Sequence, residues 1–373
     1  MQNPLSGQKI LKERLLSLDV MRGLIMILLA GESCLLYVSM QNLTEKSSFV
    51  LVVDQFFHHP WNGLHFWDLV QPAFMMMAGS ALYISWYHKT QKGISWSGNF
   101  RHVAIRCFKL FLFGVALHCV YAGQLVWELW NVLVQLSITT VIAYLIIRKS
   151  AVFQIIFSVF LLLLTEIAYR NVLVTGFDQP FTEHHNFGAY VDTLLMGKIN
   201  SDGWVTINFI PTAVHTIIGV LAGKVLISRI SASGKIKSLL VPGVLCLILG
   251  FGLDLSGITP IIKRISTTSF ILASAGWVLL LMAFLYWLTD IRKVNKHVWI
   301  FVVVGMNSIF IYLFFETIGI QWLNPTVAIF IKGLLNITSV NSHIQSLFTA
   351  GVTLILEWYL CYWLYKRKIF FKL

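Results

Sequence analysis

The sequence predicts an all-α, polytopic integral membrane bundle of about ten transmembrane helices, with both termini cytoplasmic. Three observations carry that expectation. The chain of 373 residues is 57% hydrophobic and only 12% charged, with a mean hydropathy of +0.76. A soluble domain is roughly one-quarter charged, so this chain cannot cover a globule with polar surface. Its apolar runs are about 20 residues long, the length a helix needs to cross a hydrocarbon core, and they lack the alternation of a membrane barrel. Its basic residues gather in alternate loops.

The first span, near 18–39, follows Lys9, Lys12 and Arg14 and resembles a signal anchor. No convincing small-x-small cleavage site follows, so this span is expected to be retained, with residues 1–17 as a cytoplasmic segment. Further spans fall near 64–86, 103–122, 127–147, 150–169, 205–228, 238–257, 267–289, 297–318 and 344–365. The short stretch 323–336 holds Pro325 and Lys332 and reads as a re-entrant or interfacial helix. The loops assigned to the cytoplasm carry Lys89, Lys92, Arg101 and Arg106; Arg148 and Lys149; Arg229, Lys235 and Lys237; Arg292, Lys293 and Lys296; and the C-terminal Lys366, Arg367, Lys368 and Lys372. Lys46, Arg170, Lys198, Lys263 and Arg264 are exceptions on the other side. Two long extracytoplasmic loops, 40–63 and 170–204, are where an outer substrate site is expected. The whole chain, 1–373, reads as one transmembrane domain without an internal repeat. Its net charge of +12 is assigned to topology rather than to nucleic acid. The five cysteines lie in or beside apolar runs with no metal-type spacing, so neither a disulfide framework nor a metal site is expected.

Ionisable groups in so apolar a chain are functional candidates by default. The densest cluster is His58-His59-Pro60-Trp61-Asn62-Gly63-Leu64-His65, followed by Asp68, at the outer edge of the second span. An imidazole there can take a proton from an amine or hydroxyl, or carry an acyl group itself. The residues alone leave His58, His59 and His65 as competitors, beside the blander reading of an interfacial histidine that ties a loop. Asp68 can orient an imidazole or hold an ammonium group; a structural ion pair is the alternative. Glu32 lies 13 residues after Asp19, roughly 20 Å along the first helix, which brings it toward the level of Asp68. At the other face Asp19 and Arg22 are i,i+3 and can pair. Arg22 with Lys89, Arg101, Arg106 and Lys109 can cradle phosphates, or can simply set topology. His118, Gln135, Glu166, Asn208, His215, Asn307, Glu316 and Glu357 read mostly as polar contacts between helices. The tryptophans fit an interfacial belt first and a sugar platform second.

The ordered motifs go further than composition. Arg14-x-x-Ser17-Leu18-Asp19-x-x-Arg22-Gly23 resembles the opening signature of the heparan-α-glucosaminide N-acetyltransferase family. His58-x-x-Trp61-Asn62-Gly63-Leu64-x-x-x-Asp68-Leu69-x-x-Pro72-x-Phe74-x-x-x-x-Gly79 is similar to its second-span motif. Val132-Leu133-x-Gln135, Ala189-Tyr190-Val191-Asp192 with Leu194-Leu195-x-Gly197, Gly219 with Ala222-Gly223-Lys224, and Gly305-Met306-Asn307-Ser308 follow in the same order. The resemblance spans residues 14 to 313. It implies a transmembrane acyltransferase that moves an acetyl group from cytosolic acetyl-CoA to an amino group across the membrane. It makes His58, rather than His59, the catalytic histidine, with Asp68 as its partner. With the acyltransferase reading, Ser33, Trp61, Asn62 and Asp192 are expected at the acceptor, with Glu32 added from its depth in the first helix as a second carboxylate, and Asp19, Arg22, Lys109, Gln135 and Asn307 at acetyl-CoA.

Two departures touch the acceptor side. Ser33, beside Glu32, stands where the family often has asparagine, and the 34–57 loop is longer than usual. The acceptor is therefore expected to be an amino sugar or related glycan, without restriction to heparan. The chain looks like a bacterial member of the family in the cytoplasmic (inner) membrane. Its expected partners are acetyl-CoA, the glycan acceptor, the lipid bilayer and a second copy in a homodimer. The rival is a transporter or membrane sensor that binds a sugar or amine without chemistry.

Overall fold

Apolar runs separated by polar turns, with Ser or Asn side chains closing many helix starts, make this chain helical almost throughout. Ser95, Asn131, Ser150, Asn186, Ser231 and Asn341 each accept a hydrogen bond from a backbone N–H in the first turn of the helix that follows. The computed structural model describes residues 15–337 and 340–371. Lys9, Lys12, Arg14 and Lys372 lie outside the described residues, as does all of the expected cytoplasmic segment 1–17 before Leu15.

The helices are α1 (Leu16–Ser33), α2 (Leu36–Thr44), α3 (Val50–Val53), α4 (Val70–Gln91), α5 (Trp96–Ala122), α6 (Val132–Leu145), α7 (Ala151–Asn171), α8 (Phe187–Met196), α9 (Phe209–Ile227), α10 (Ala232–Leu255), α11 (Thr268–Leu285), α12 (Trp299–Gly305), α13 (Ser308–Phe314), α14 (Asn324–Asn336) and α15 (Ser342–Lys366). Among the described residues there is no strand, only two isolated backbone bridges. The protein is a helical membrane bundle. Seven helices are long and apolar enough to cross a membrane, or eight if α1 and α2 form one bent span. The difference from ten lies in α4 and α6. The 22 residues of α4 include Gln71, His88 and Lys89, and α6 has only 14 residues, about 21 Å of helix.

Two expected spans are not single rods. The run 18–39 breaks after Ser33, and α2 leaves α1 at 64° through Leu35, which is left-handed at φ 64°. The break is held by Tyr37, whose ring lies over Gly31 and whose hydroxyl donates to the Leu28 carbonyl at 2.9 Å. The run 297–318 is interrupted at Met306–Asn307. From Ser308 one continuous helix of 29 residues runs through a wide π-segment, Phe315–Leu323, to Asn336. Residues 323–336 therefore extend that helix instead of forming a separate re-entrant piece. Pro325 falls just after the π-segment gives way to α14, where the regular backbone hydrogen-bond pattern is already interrupted.

Small residues let helices touch backbone to backbone. A Cβ on Gly79 of α4 would lie 2.0 Å from the Thr216 carbonyl oxygen of α9, and one on Gly219 would lie 2.1 Å from the Met76 oxygen. Gly305 of α12 packs against the Asp19 carbonyl of α1 in the same way. Beside that contact, Asn307 Nδ2 donates to the Ile369 carbonyl and its Oδ1 accepts from the Phe371 N–H. Both described ends of the chain thus lie at one end of the bundle. The loops preceding α4, α6, α9 and α11 knit together at the other.

Candidate active site

The site grows from a segment that cannot be regular helix. Residues 57–65 contain Pro60 and Gly63, with Gly63 at φ 150°, where a Cβ would fall 2.4 Å from the His59 ring. A 3-10 turn, Phe66–Leu69, then leads into α4. Asp68 organises this segment. Its Oδ2 accepts the backbone N–H of His65 at 2.8 Å and of His59 at 3.2 Å. Its Oδ1 lies 2.9 Å from Nδ1 of His58. The carboxylate is completely buried, so its orientation is imposed by the chain around it.

Gly63 and Asn62 also fasten this segment to the α10–α11 loop. The Gly63 N–H donates to the Ile261 carbonyl at 2.8 Å, and Asn62 pairs with Ile262 as a backbone bridge. The next residue, Lys263, is thereby placed with its Nζ 3.0 Å from His58 Nδ1 and 3.5 Å from Asp68 Oδ1. The same ammonium lies over the Trp204 ring, 5.4 Å from its centroid, and the His58 ring meets Trp204 edge-on at 5.4 Å. Burial, with the Lys263 charge beside it, pushes His58 down from its ordinary 6.5 to about 4; Asp68 opposes that. Burial likewise pushes Lys263 down to about 8, against the pull of Asp68 and Glu32.

His58 and Lys263 line a cavity of about 330 Å³. Glu32 and Met26 of α1 form one wall, Gln71 and Phe74 of α4 another, and Gln135 of α6 and Glu316 of the π-segment face them. Gln71 Nε2 donates to Gln135 Oε1 at 2.6 Å, and Glu316 accepts from the Tyr121 hydroxyl at 2.7 Å. Asn200, Asp202 and Trp204 line the side formed by the loop between α8 and α9. Nδ1 of His58 is engaged by Asp68 and Lys263, and Nε2 has no protein hydrogen bond among the described residues. An imidazole oriented by a buried carboxylate, with its other nitrogen unused, is the arrangement of a general base or nucleophilic acyl carrier.

Of the twelve expected site residues, His58, Asp68, Glu32 and Gln135 are brought together here. Gln135 was expected at acetyl-CoA, yet it sits in the same cavity as the histidine. Asp192 stands one layer behind: it accepts from Trp130 Nε1 at 2.7 Å and from the Thr206 N–H at 2.9 Å, and Trp130 faces the cavity. Ser33 is buried and donates to the Phe315 carbonyl at 2.7 Å, holding the helix break. Trp61 donates to the Phe181 carbonyl at 2.8 Å, and the Asn62 side chain is exposed; both act on the loop, outside the cavity lining.

The expected acetyl-CoA set is divided. Arg22 pairs with buried Asp19 at 3.2 Å near the N-terminal end of α1, with Asn307 beyond the neighbouring α12. Lys109 is exposed on α5, whose main partner is α6, while Lys89 donates to Asn99 at 3.1 Å. His59 and His65 face each other at 4.8 Å, and His65 Nδ1 is tied to the Phe57 carbonyl at 3.0 Å, which separates them from His58.

Lys263, Gln71, Glu316, Tyr312, Asp202 and Trp204 are the cavity groups that sequence reasoning did not assign to the site. Three of them carried a signal in the sequence: Lys263 as a cation against the charge pattern, Glu316 as an embedded carboxylate, and Asp202 by its place in the 170–204 loop. No metal-type cluster of His, Cys, Asp or Glu occurs among the described residues. No family model matches the chain, and no curated protein matches it.

Proposed function

We propose that the protein is a transmembrane acyltransferase of the heparan-α-glucosaminide N-acetyltransferase type, moving an acetyl group from cytosolic acetyl-CoA to an extracytoplasmic amino sugar or related glycan. The observation that carries this reading is the buried Asp68 carboxylate 2.9 Å from His58 Nδ1, with Nε2 left to a polar cavity. His58 takes the proton of the acceptor amine or hydroxyl as that atom attacks the thioester carbonyl. The carbonyl carbon–sulfur bond breaks, and the thiolate leaves with the proton. Asp68 holds the ring and stabilises its charged form. Glu32 and Glu316 offer carboxylates to an amine, and Trp130 and Trp204 offer flat apolar faces to a sugar.

The acetyl donor reaches the same cavity from the opposite side. Cavity-lining Glu32, Leu29 and Met26 recur at helical spacing along one face of α1. Arg22 continues that face one turn beyond Met26, about 6 Å further inward. Arg22 is therefore the member of the expected basic set best placed to meet the donor. The gathering of Lys89, Lys92, Arg148, Lys149, Arg292 and Lys296 in loops at that end supports a cytoplasmic assignment for it, with about ten transits in all, in a bacterial cytoplasmic membrane.

Proteoliposomes loaded with radiolabelled acetyl-CoA and offered glucosamine-terminated glycans outside test the reading. Acetylated product outside, lost in His58→Ala and kept in His59→Ala, is expected. Uptake of acceptor without acetylated product would replace the enzyme with a transporter.

A further inference from the structure

His58 Nδ1 has two neighbours that cannot both be satisfied by one state of the ring. Asp68 Oδ1, at 2.9 Å, can only accept a hydrogen bond, so that contact needs a proton on Nδ1. The Lys263 ammonium, at 3.0 Å, can only donate, so that contact needs a lone pair on Nδ1. The three atoms form a triangle closed by the 3.5 Å separation of Lys263 from Asp68. With Lys263 charged, the ammonium bridges Asp68 and Nδ1, and the ring proton sits on Nε2, facing the cavity. With Lys263 neutral, Nδ1 carries the proton and donates to Asp68, and Nε2 presents a lone pair.

We propose that Lys263 is a positioning residue whose own proton selects the tautomer of His58, switching Nε2 between a hydrogen-bond donor and a base. The step conserves protons. Lys263 passes one to Nδ1 while Nε2 releases one into the cavity, and the net change is the loss of a single proton from Lys263. The geometry that enforces this is built from backbone. Lys263 is 6% exposed, and the Gly63–Ile261 bond and the Asn62–Ile262 bridge leave its ammonium little room away from the ring. The hydroxyls of Thr267 and Ser269 both donate to the Pro260 carbonyl at 2.7 Å and stiffen the same loop. The depression of Lys263 to about 8 places the switch where a modest change in the cavity can operate it.

Other charged or titratable groups surround the pair. Arg264 stands next to Lys263 and is engaged by Glu183 at 3.2 Å and by the Asp202 carbonyl. Glu32 faces from α1, Glu316 from the π-segment and Asp202 from the outer loop, with His59 and His65 on the His58 segment itself. A cationic acceptor entering between these carboxylates raises the positive potential at Lys263 and favours its neutral form. Occupancy of the cavity would then arm the base. This consequence rests on the acyltransferase reading; the tautomer switch does not.

The test is ¹⁵N NMR of histidine-labelled protein in lipid nanodiscs, with the His58 resonances identified by subtraction of His58→Gln. In the wild type the ring is expected to hold its proton on Nε2 at about pH 6 and on Nδ1 at about pH 10, with the change centred near 8. Lys263→Met should show the Nδ1 proton throughout this range. Lys263→Arg, which keeps its charge, should show the Nε2 proton throughout. The wild-type titration stands even if a variant fails to fold. A wild-type ring that keeps one tautomer across the titration overturns the proposal, as does a Lys263→Met ring identical to the wild type. Acetyl transfer measured on the same samples separates the two ideas. A tautomer change without any transfer removes the enzyme and leaves the switch; transfer with an unchanging ring removes only the switch.

Discussion

At the scale of single residues, three neighbouring histidines have been given different fates by their surroundings. His65 is tied to a carbonyl, His59 supplies a backbone N–H to Asp68, and His58 alone joins the carboxylate to the cavity. On the proposed acyltransferase reading His58 is a positioned general base, whose removal costs about 10²–10⁴ in rate, so His58→Ala should lose at least about 100-fold in acetyl transfer. His59→Ala should stay within about threefold of the wild type, because its contribution to Asp68 is made by the main chain. The proposed switch assigns the pH dependence to Lys263 as much as to His58. Under the proposed switch, raising the pH removes the Lys263 proton, puts the ring proton on Nδ1 and frees Nε2, so the wild-type rate should climb through about pH 8. In Lys263→Met the climb should move below about 6.5, since only protonation of His58 itself then blocks the base. Initial rates in buffered proteoliposomes check both statements. The cluster around His58 was legible because ionisable side chains are rare in so apolar a chain. The choice among its histidines was not, since i,i+1 neighbours differ only in the contacts that folding supplies.

At the scale of elements, much of the motif series serves packing. Gly79 and Gly219 allow α4 and α9 to meet, and α4 carries the 3-10 turn of Asp68. Gly219→Ala puts a methyl 2.1 Å from a backbone oxygen, which has no side-chain rotamer to yield. A cost of about 1–3 kcal/mol, seen as a lower unfolding midpoint in detergent, is expected. The Trp-Asn-Gly run works differently: Asn62→Ala should change stability and transfer little, since its side chain is exposed and its bridge to Ile262 is made by backbone. Gly63→Ala should impair both, because the methyl meets the His59 ring and loosens the loop that delivers Lys263. Helix existence followed directly from apolar length. The break after Ser33 and the π-segment did not, because Tyr37 and the tertiary neighbours of Phe315 decide them.

At the scale of the whole molecule, the loops preceding α4, α6, α9 and α11 close over one cavity, while the two described chain ends lie toward the opposite pole. The proposed orientation places the cavity mouth outside the cell. In a background lacking Cys119 and Cys246, Asp202→Cys should react with a membrane-impermeant thiol reagent added to intact cells. Lys293→Cys should react only after permeabilisation. The reverse pattern would turn the molecule over and cut the cavity off from an external acceptor.

The amino-acid sequence by itself determined the helical membrane class, because a bilayer admits few ways to satisfy a backbone and apolar length reveals the chosen one. It also marked the His58–Asp68 pair, whose ten-residue separation keeps both partners within one local segment. Only the tertiary structure decided that Lys263, 205 residues away, belongs beside them. Local pattern encodes which residues share a helix face. Which loops touch depends on how the helices pack, and that is settled by close backbone contacts spread over the whole chain.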